Sequence, residues 1–461
     1  MMHSARKASV AVALAALVCL VSVPGASATP PRPDTSQRLD WRGHIAIRAP
    51  RFGSGSYTTG CQKQLGISCY IPRQLQRAYD LPGLYAHGWD GSGSTIAIVD
   101  SFGSPTIQSD LATFDQQFGL PAPPSLQVIQ PAGQVPPFDP SNNDMVNWAV
   151  ETSLDVEWAH ALAPGANILL VETPVSETEG VHGFPQIVQA ENYVIDHHMA
   201  DVISQSFAAT EETFPNHASI RALRSAYINA RNNGVTVVGA TGDAGATDYK
   251  LNLKDFYGRR VTAWPSTDPL VTAVGGTQLH LDSAGRRTAP DNVWNDTYNP
   301  NVVGPEPSPD AGGGGVSHVM SRPSFQDGVS SIVGDARGVP DISMSAAVDG
   351  GVLTYLGFLG ENSGLYIIGG TSEATPEFAA VVSIADQAAG HSLGFINPML
   401  YKLAARGAPG IVDITIGNNT VTFTQGGHTY TVPGFDAVPG YDMASGLGTV
   451  NATKLVDALA G

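Results

Sequence analysis

Cysteine is nearly absent from this 461-residue chain, with three in all, at positions 19, 61 and 69. So few thiols exclude a disulfide-dense scaffold and a cysteine-rich metal domain. Basic residues are also scarce: 24 Lys and Arg stand against 41 Asp and Glu, a formal net charge of −17. That deficit argues against nucleic acid or an anionic membrane surface as partner. It also means that self-repulsion falls as pH drops toward about 4, where carboxylates begin to protonate, so an acidic workplace is allowed. Long apolar runs are missing beyond Val21, and nothing after that point could cross a bilayer. The early run, Val10 to Val21, follows Arg6 and Lys7 and precedes Ala26-Ser27-Ala28. This is the pattern of a secretory leader, so residues 1–28 read as a signal peptide and the product as secreted, starting at Thr29. Cys61 and Cys69 then remain, eight apart beside a Gly/Ser-rich stretch. They suit one surface disulfide outside the cell, or two free thiols.

What is present is glycine (51) and proline (33), spread through a chain long enough for a large core. Residues 29–64, rich in Pro, Arg, Gly and Ser without period, predict an extended N-terminal arm. From there, short β-branched runs recur at Thr95 to Val99, Ile168 to Val171, Val202 to Ile203, Val235 to Val238 and Leu270 to Val274. Helical patterns separate some of them, at Met145 to Leu162, Ile187 to His198 and Ile220 to Ala230, with an earlier one at Leu75 to Tyr85. Strands alternating with helices at this pitch predict an α/β fold on a mostly parallel sheet, with function at the carboxyl ends of the strands.

The centre of the chemistry is Gly369-Gly370-Thr371-Ser372-Glu373-Ala374-Thr375-Pro376, which opens an apolar run at helical spacing through Phe378, Val381, Val382, Ala385 and Ala389 and stops at Gly390. Pro376 suits a first helical turn. Ser372 therefore lies at a helix N-terminus, where orphan N–H groups and the positive end of the dipole favour an anion beside the hydroxyl. A nucleophilic serine needs that setting. An ordinary N-cap after a glycine turn would look the same, so partners must decide.

Two carboxylates supply them. Ser141-Asn142-Asn143-Asp144 offers caps for the helix that follows, in which Val146, Val150, Leu154 and Trp158 form the buried stripe. Glu151 and Asp155 are one turn apart on the border of that stripe. Glu151 can take a hydroxyl proton while Asp155 holds and shares one with it, an arrangement that works only in acid, near pH 4 to 5 rather than about 7. A third acid, Asp243, stands in Ala240-Thr241-Gly242-Asp243-Ala244-Gly245 just after a strand. Protonated, it can donate a hydrogen bond to a tetrahedral oxyanion.

These residues in this order resemble the sedolisin family, serine-carboxyl peptidases with a subtilisin-like three-layer fold. Glu151-Thr152-Ser153-Leu154-Asp155-Val156-Glu157 with Ala163-Pro164-Gly165-Ala166 looks like the segment bearing the base and its partner. Thr241-Gly242-Asp243-Ala244-Gly245 looks like the oxyanion segment and Gly369-Gly370-Thr371-Ser372 like the nucleophile segment. Gly313-Gly314-Gly315-Val316-Ser317 and Arg337-Gly338-Val339-Pro340-Asp341-Ile342 match as well. The resemblance implies Ser372 as nucleophile, Glu151 as general base, Asp155 as its partner and Asp243 as oxyanion donor, in a peptidase domain over residues 65–461 acting as a monomer on polypeptide substrates. It also implies one Ca²⁺ in a segment over 411–449, held by the carboxylates of Asp413 and Asp442 and the carbonyls of Ile414, Val438 and Gly440. Oxygen donors from two loops suit such a hard cation. Two departures stand out. The arm is short for a folded propeptide, and Glu373 follows the nucleophile where a small residue is usual.

Three other readings compete. Asp100, His182 and Ser372 occur in the order of a subtilisin triad, but His182 lies in a Glu/Thr/Gly loop without the small residues and immediate helix expected after such a base. A retaining glycosidase would need carboxylates on both sides of the scissile bond, which one helix face cannot provide. A secreted binding module would have no need for every catalytic role to be filled by a competent residue.

Overall fold

The structure, a computed structural model, describes residues 38–41, 44–52 and 56–461. The leader read over residues 1–28 lies outside the described residues. The five β-branched runs are strands, Thr95–Ser101, Asn167–Thr173, Val202–Gln205, Thr236–Ala240 and Thr272–Gln278. Leu126–Ile129 and Ile342–Ser345 join them in parallel, and a short antiparallel strand, Asn292–Val293, completes an eight-stranded sheet. Thr95–Ser101 lies at its middle, between Asn167–Thr173 and Val202–Gln205. The strand order reverses there, so the adjoining crevice at the carboxyl ends is the natural place for a ligand.

Both faces of this sheet are covered, which explains why its strands read as unbroken apolar runs. Ile96, Ile98, Ile168 and Leu170 face a core shared with Leu154 and Trp158 of helix Asn143–Leu162 and with Phe378 and Val381 of helix Thr371–Ala389. Their neighbours Ala97, Val99, Leu169 and Val171 point the other way, onto Ile187, Val194 and Tyr227 of helices Phe184–Asp196 and Ser225–Asn233. Each fully buried Val, Leu or Ile adds about 1.5–3 kcal/mol relative to exposure. Among the described residues no helix is long and apolar enough to cross a membrane.

A second sheet runs in the order Arg38–Trp41, His44–Arg48, Gly364–Ile368, Gly351–Leu356 and Cys69–Tyr70. Its strand Gly364–Ile368 feeds directly into the Gly369-Gly370 turn and the serine helix. Gly370 has φ 111°, a left-handed conformation that favours glycine, and a Cβ at Gly369 would come within 2.5 Å of the Ala346 carbonyl oxygen.

Several elements differ from expectation. The N-terminal arm is not wholly extended: Tyr57–Leu65 is a helix, capped by the Ser56 hydroxyl on the Thr59 N–H and ended by Gly66 at φ 74°. Cys61 and Cys69 are joined, and the bridge is buried rather than at the surface, packed under Ile45, Ile47 and Leu353. The segment Leu75 to Tyr85 divides into Pro72–Ala78 and Pro82–Ala86, because Asp80 turns to φ 65° ahead of a proline that cannot continue the preceding helix. Ile220 to Ala230 divides likewise, into His217–Ala222 and Ser225–Asn233, where the Leu223 N–H closes a tight turn on the Ile220 carbonyl. The helix bearing Glu151 has no solvated face along most of its length: every residue from Trp148 to Leu162 is buried. Glu151 and Asp155 thus sit inside the protein, not on the rim of a stripe.

Candidate active site

The serine helix begins at Thr371, so Pro376 falls in its second turn rather than its first. Proline has no N–H to return to the carbonyl four residues earlier, and that carbonyl belongs to Ser372. The hydroxyl of Ser206, at the end of strand Val202–Gln205, approaches it at 3.3 Å instead. The same hydroxyl lies 3.0 Å from Asp155 Oδ1. Ser372 Oγ in turn donates to the Ser206 carbonyl in a long contact of 3.5 Å. Ser372 is 2 % exposed, Glu151 6 % and Asp155 not at all.

Asp243 follows strand Thr236–Ala240 and reaches the first turn of the serine helix. Its Oδ1 accepts from the Thr371 N–H at 2.7 Å and from the Thr371 hydroxyl at 2.8 Å. The Gly242 N–H donates to the same hydroxyl at 3.1 Å. Behind this turn the Gly313 N–H bonds the Gly242 carbonyl, and a Cβ at Gly313 would strike the Thr241 carbonyl oxygen at 2.1 Å. The glycine run 312–315 therefore lets one backbone lie flat on another.

Glu151, Ser206, Asp243 and Ser372 line one cleft, with Asp155 one helical turn beneath Glu151. Asp144, Glu177, Glu179 and Asp248 line it too, and among the described residues no basic side chain does. Burial, reinforced by Glu151 and then by Asp100, holds the Asp155 carboxyl well above its ordinary range, while the Ser206 hydroxyl opposes the shift. Asp100, at the end of the central strand, is raised for the same first reason and then by Glu151. Glu179 is pushed up to about 8 by burial and by Asp248. Burial pushes Asp248 up to about 7. A cleft that keeps several carboxyls protonated without cations can both accept and donate protons in acid, which is what acyl transfer through a serine requires.

The His182 alternative finds no support in this geometry. His182 is exposed and does not line the cleft, and Asp100 lies against Glu151 and Asp155 rather than a histidine. Ser206 and Thr371 were not singled out from sequence. The rule that function gathers at strand carboxyl ends points to Ser206, directly after Gln205.

Comparison with known proteins follows the same lines. The Subtilase family profile matches residues 142–400. Kumamolisin of Bacillus sp. (strain MN-32) is 33% identical over 428 residues, covering 91% of this chain and 68% of that protein. The chain belongs to the sedolisin family. Sedolisin itself, of Pseudomonas sp. (strain 101), is 29% identical over 79% of this chain and 57% of its own length. Human tripeptidyl-peptidase 1 is 26% identical over 76% and 57%. The solved structure of Pseudomonas sedolisin, a serine-carboxyl proteinase complexed with two molecules of pseudo-iodotyrostatin, superposes with TM-score 0.70 at 28% identity, covering 85% of this chain and 98% of that one. This sedolisin-family chain has the subtilisin-like α/β fold and is a serine-type peptidase.

The residues of the implied calcium segment converge. Strands Ile411–Val412 and Thr449–Val450 pair and close the segment at its base. Asp413 Oδ2 accepts from the Gly440 N–H at 2.9 Å, and Asp442 Oδ2 from the Val438 N–H at 3.0 Å. Among the described residues, no backbone N–H outside the helices and strands donates to the carbonyls of Ile414, Val438 and Gly440. Two carboxylates and three carbonyls from adjoining loops fit a hard cation. Among the described residues no cluster of three or more His, Cys, Asp or Glu side chains could hold a metal.

Proposed function

We propose that the protein is a secreted peptidase that works in acid, cleaving polypeptides through a Ser372 acyl-enzyme. Ser372 Oγ attacks the scissile carbonyl as Glu151 takes its proton, and Asp155 holds Glu151 in place and shares its proton load. The proton then passes from Glu151 to the leaving amine, and water deacylates the serine by the same relay. Protonated Asp243 donates to the oxyanion of each tetrahedral intermediate. The observation that supports this most is the opening of Ser372, Glu151 and Asp243 into one cleft with a buried Asp155 immediately beneath the base. The reading also takes residues 1–28 as a leader, 65–461 as the peptidase domain and the chain as a monomer. One Ca²⁺ on Asp413, Ile414, Val438, Gly440 and Asp442 would tie the C-terminal loops together and neutralise their charge.

The test is a pH profile on a denatured protein substrate, with two variants. Hydrolysis should peak well below pH 7, because the base is a carboxylate. Ser372→Ala and Glu151→Gln should each abolish nearly all turnover, since groups acting as a unit lose most of their effect when one goes. A neutral or alkaline optimum, or an active Glu151→Gln enzyme, would overturn the assignment.

A further inference from the structure

We propose that Ser206 is a positioning residue for the acid pair, an inference that rests on Glu151 and Asp155 acting as proposed above. Its hydroxyl stands between two acceptors, Asp155 Oδ1 at 3.0 Å and the Ser372 carbonyl at 3.3 Å, and has one hydrogen to give. Both sites matter. The Ser372 carbonyl lacks its helical partner because residue 376 is proline, and Asp155 is completely buried.

These contacts allow two settings. When Asp155 Oδ1 carries no proton, the Ser206 hydroxyl donates to it. When Oδ1 is protonated, that proton is donated to Ser206 Oγ, and the Ser206 hydrogen turns to the Ser372 carbonyl. Asp155 and Ser206 stay hydrogen-bonded to each other in both settings, and the Ser372 carbonyl takes the Ser206 hydrogen only in the second, which matters where an unsatisfied buried charge is costlier than an unsatisfied carbonyl. Asp155 therefore keeps one orientation while its protonation changes, and so does the carboxylate it supports. The groups that bear on Asp155 are Glu151, one turn away on its own helix, and Asp100, from the central strand; Ser206 stands against these two acids as a neutral donor. A backbone link completes the unit, since Ser372 Oγ donates to the Ser206 carbonyl.

The experiment is Ser206→Ala and Ser206→Thr, each folded by its melting curve, with kcat and KM measured across the acid range beside wild type and Glu151→Gln. The Ala variant should lose about 10- to 100-fold in kcat, the scale of a hydrogen bond to a charged group, with KM little changed. Its acid limb should move to higher pH, because the Ser206 donor favouring ionised Asp155 is gone and the pair gives up its proton less readily. Ser206→Thr keeps a hydroxyl and should keep the wild-type limb. An unmoved limb in the Ala variant, a change confined to KM, or a Thr variant with the Ala profile would overturn the role of Ser206. If Glu151→Gln retains activity, the reading of the acid pair has failed instead.

Discussion

At Asp243, one oxygen is committed twice. Oδ1 accepts both the N–H and the hydroxyl of Thr371, so a proton on this carboxyl belongs on Oδ2. Asp243→Asn should reproduce that layout, its carbonyl oxygen taking the Thr371 donors and its amide standing where Oδ2 was. An amide donates at every pH, so this variant should retain measurable turnover, with an alkaline limb set by Glu151 and Asp155 alone. Asp243→Ala keeps neither function and should lose roughly 10² to 10³ in kcat, as expected for one oxyanion donor. Full turnover in the Ala enzyme, measured under saturating substrate, would make Asp243 a mere tether for the helix.

The first two turns of the serine helix carry two acids that the proposed chemistry does not use. Glu373 and Glu377 lie on consecutive turns and are wholly buried, with the Ser345 hydroxyl opposing the upward shift at Glu373. Burial raises both carboxyls well above their ordinary range, with Asp243 adding to Glu373 and Glu373 to Glu377; the Tyr79 phenol lies beside the latter. The native state keeps protons that the unfolded chain releases above about pH 4.3. Their contribution is thus intact below that pH and is lost as pH rises toward the folded values, by up to about 1.4 kcal/mol per pH unit for each group. Glu373→Ala with Glu377→Leu should therefore raise the melting temperature more at pH 7 than at pH 4. An equal shift at both would reject this.

This helix also shows what sequence could and could not deliver. Ser372, Gly390 and the apolar spacing were legible because they are local signals. The place of Pro376 was not, because the helix starts five residues before it, and its effect on Ser206 depends on a strand from elsewhere in the chain. Likewise the stripe Val146, Val150, Leu154 and Trp158 suggested a half-exposed helix, yet sheet and serine helix enclose it. The spacing of Cys61 and Cys69 allowed their pairing to be read, but not that the bridge is buried, and the Ser56 cap was too brief to stand out in a Gly/Ser-rich stretch.

For the molecule as a whole, carboxyl burial predicts a preference for acid independent of catalysis. Besides the acids already described, burial pushes Glu191 and Asp386 up to about 8 and Asp296 up to about 6. Each is raised, so each withdraws stability between about pH 4 and its folded value. The melting temperature should be highest near pH 4 to 5 and fall toward pH 8, and a curve rising over that range would contradict the structure. Calcium should add stability by mass action. Chelator should lower the melting temperature, and Asp442→Ala should remove the response; a curve indifferent to both metal and chelator would exclude the site.

Glu151 and Ser372 come from opposite halves of the chain, on two helices that pack together on one face of the sheet. Such non-local closure is slow, and synthesis delivers the acid well before the serine. A nascent chain therefore has no assembled relay with which to cut itself or its neighbours. On refolding from denaturant, peptidase activity should lag behind the recovery of helical signal, so hydrolytic competence is the last thing the polypeptide acquires.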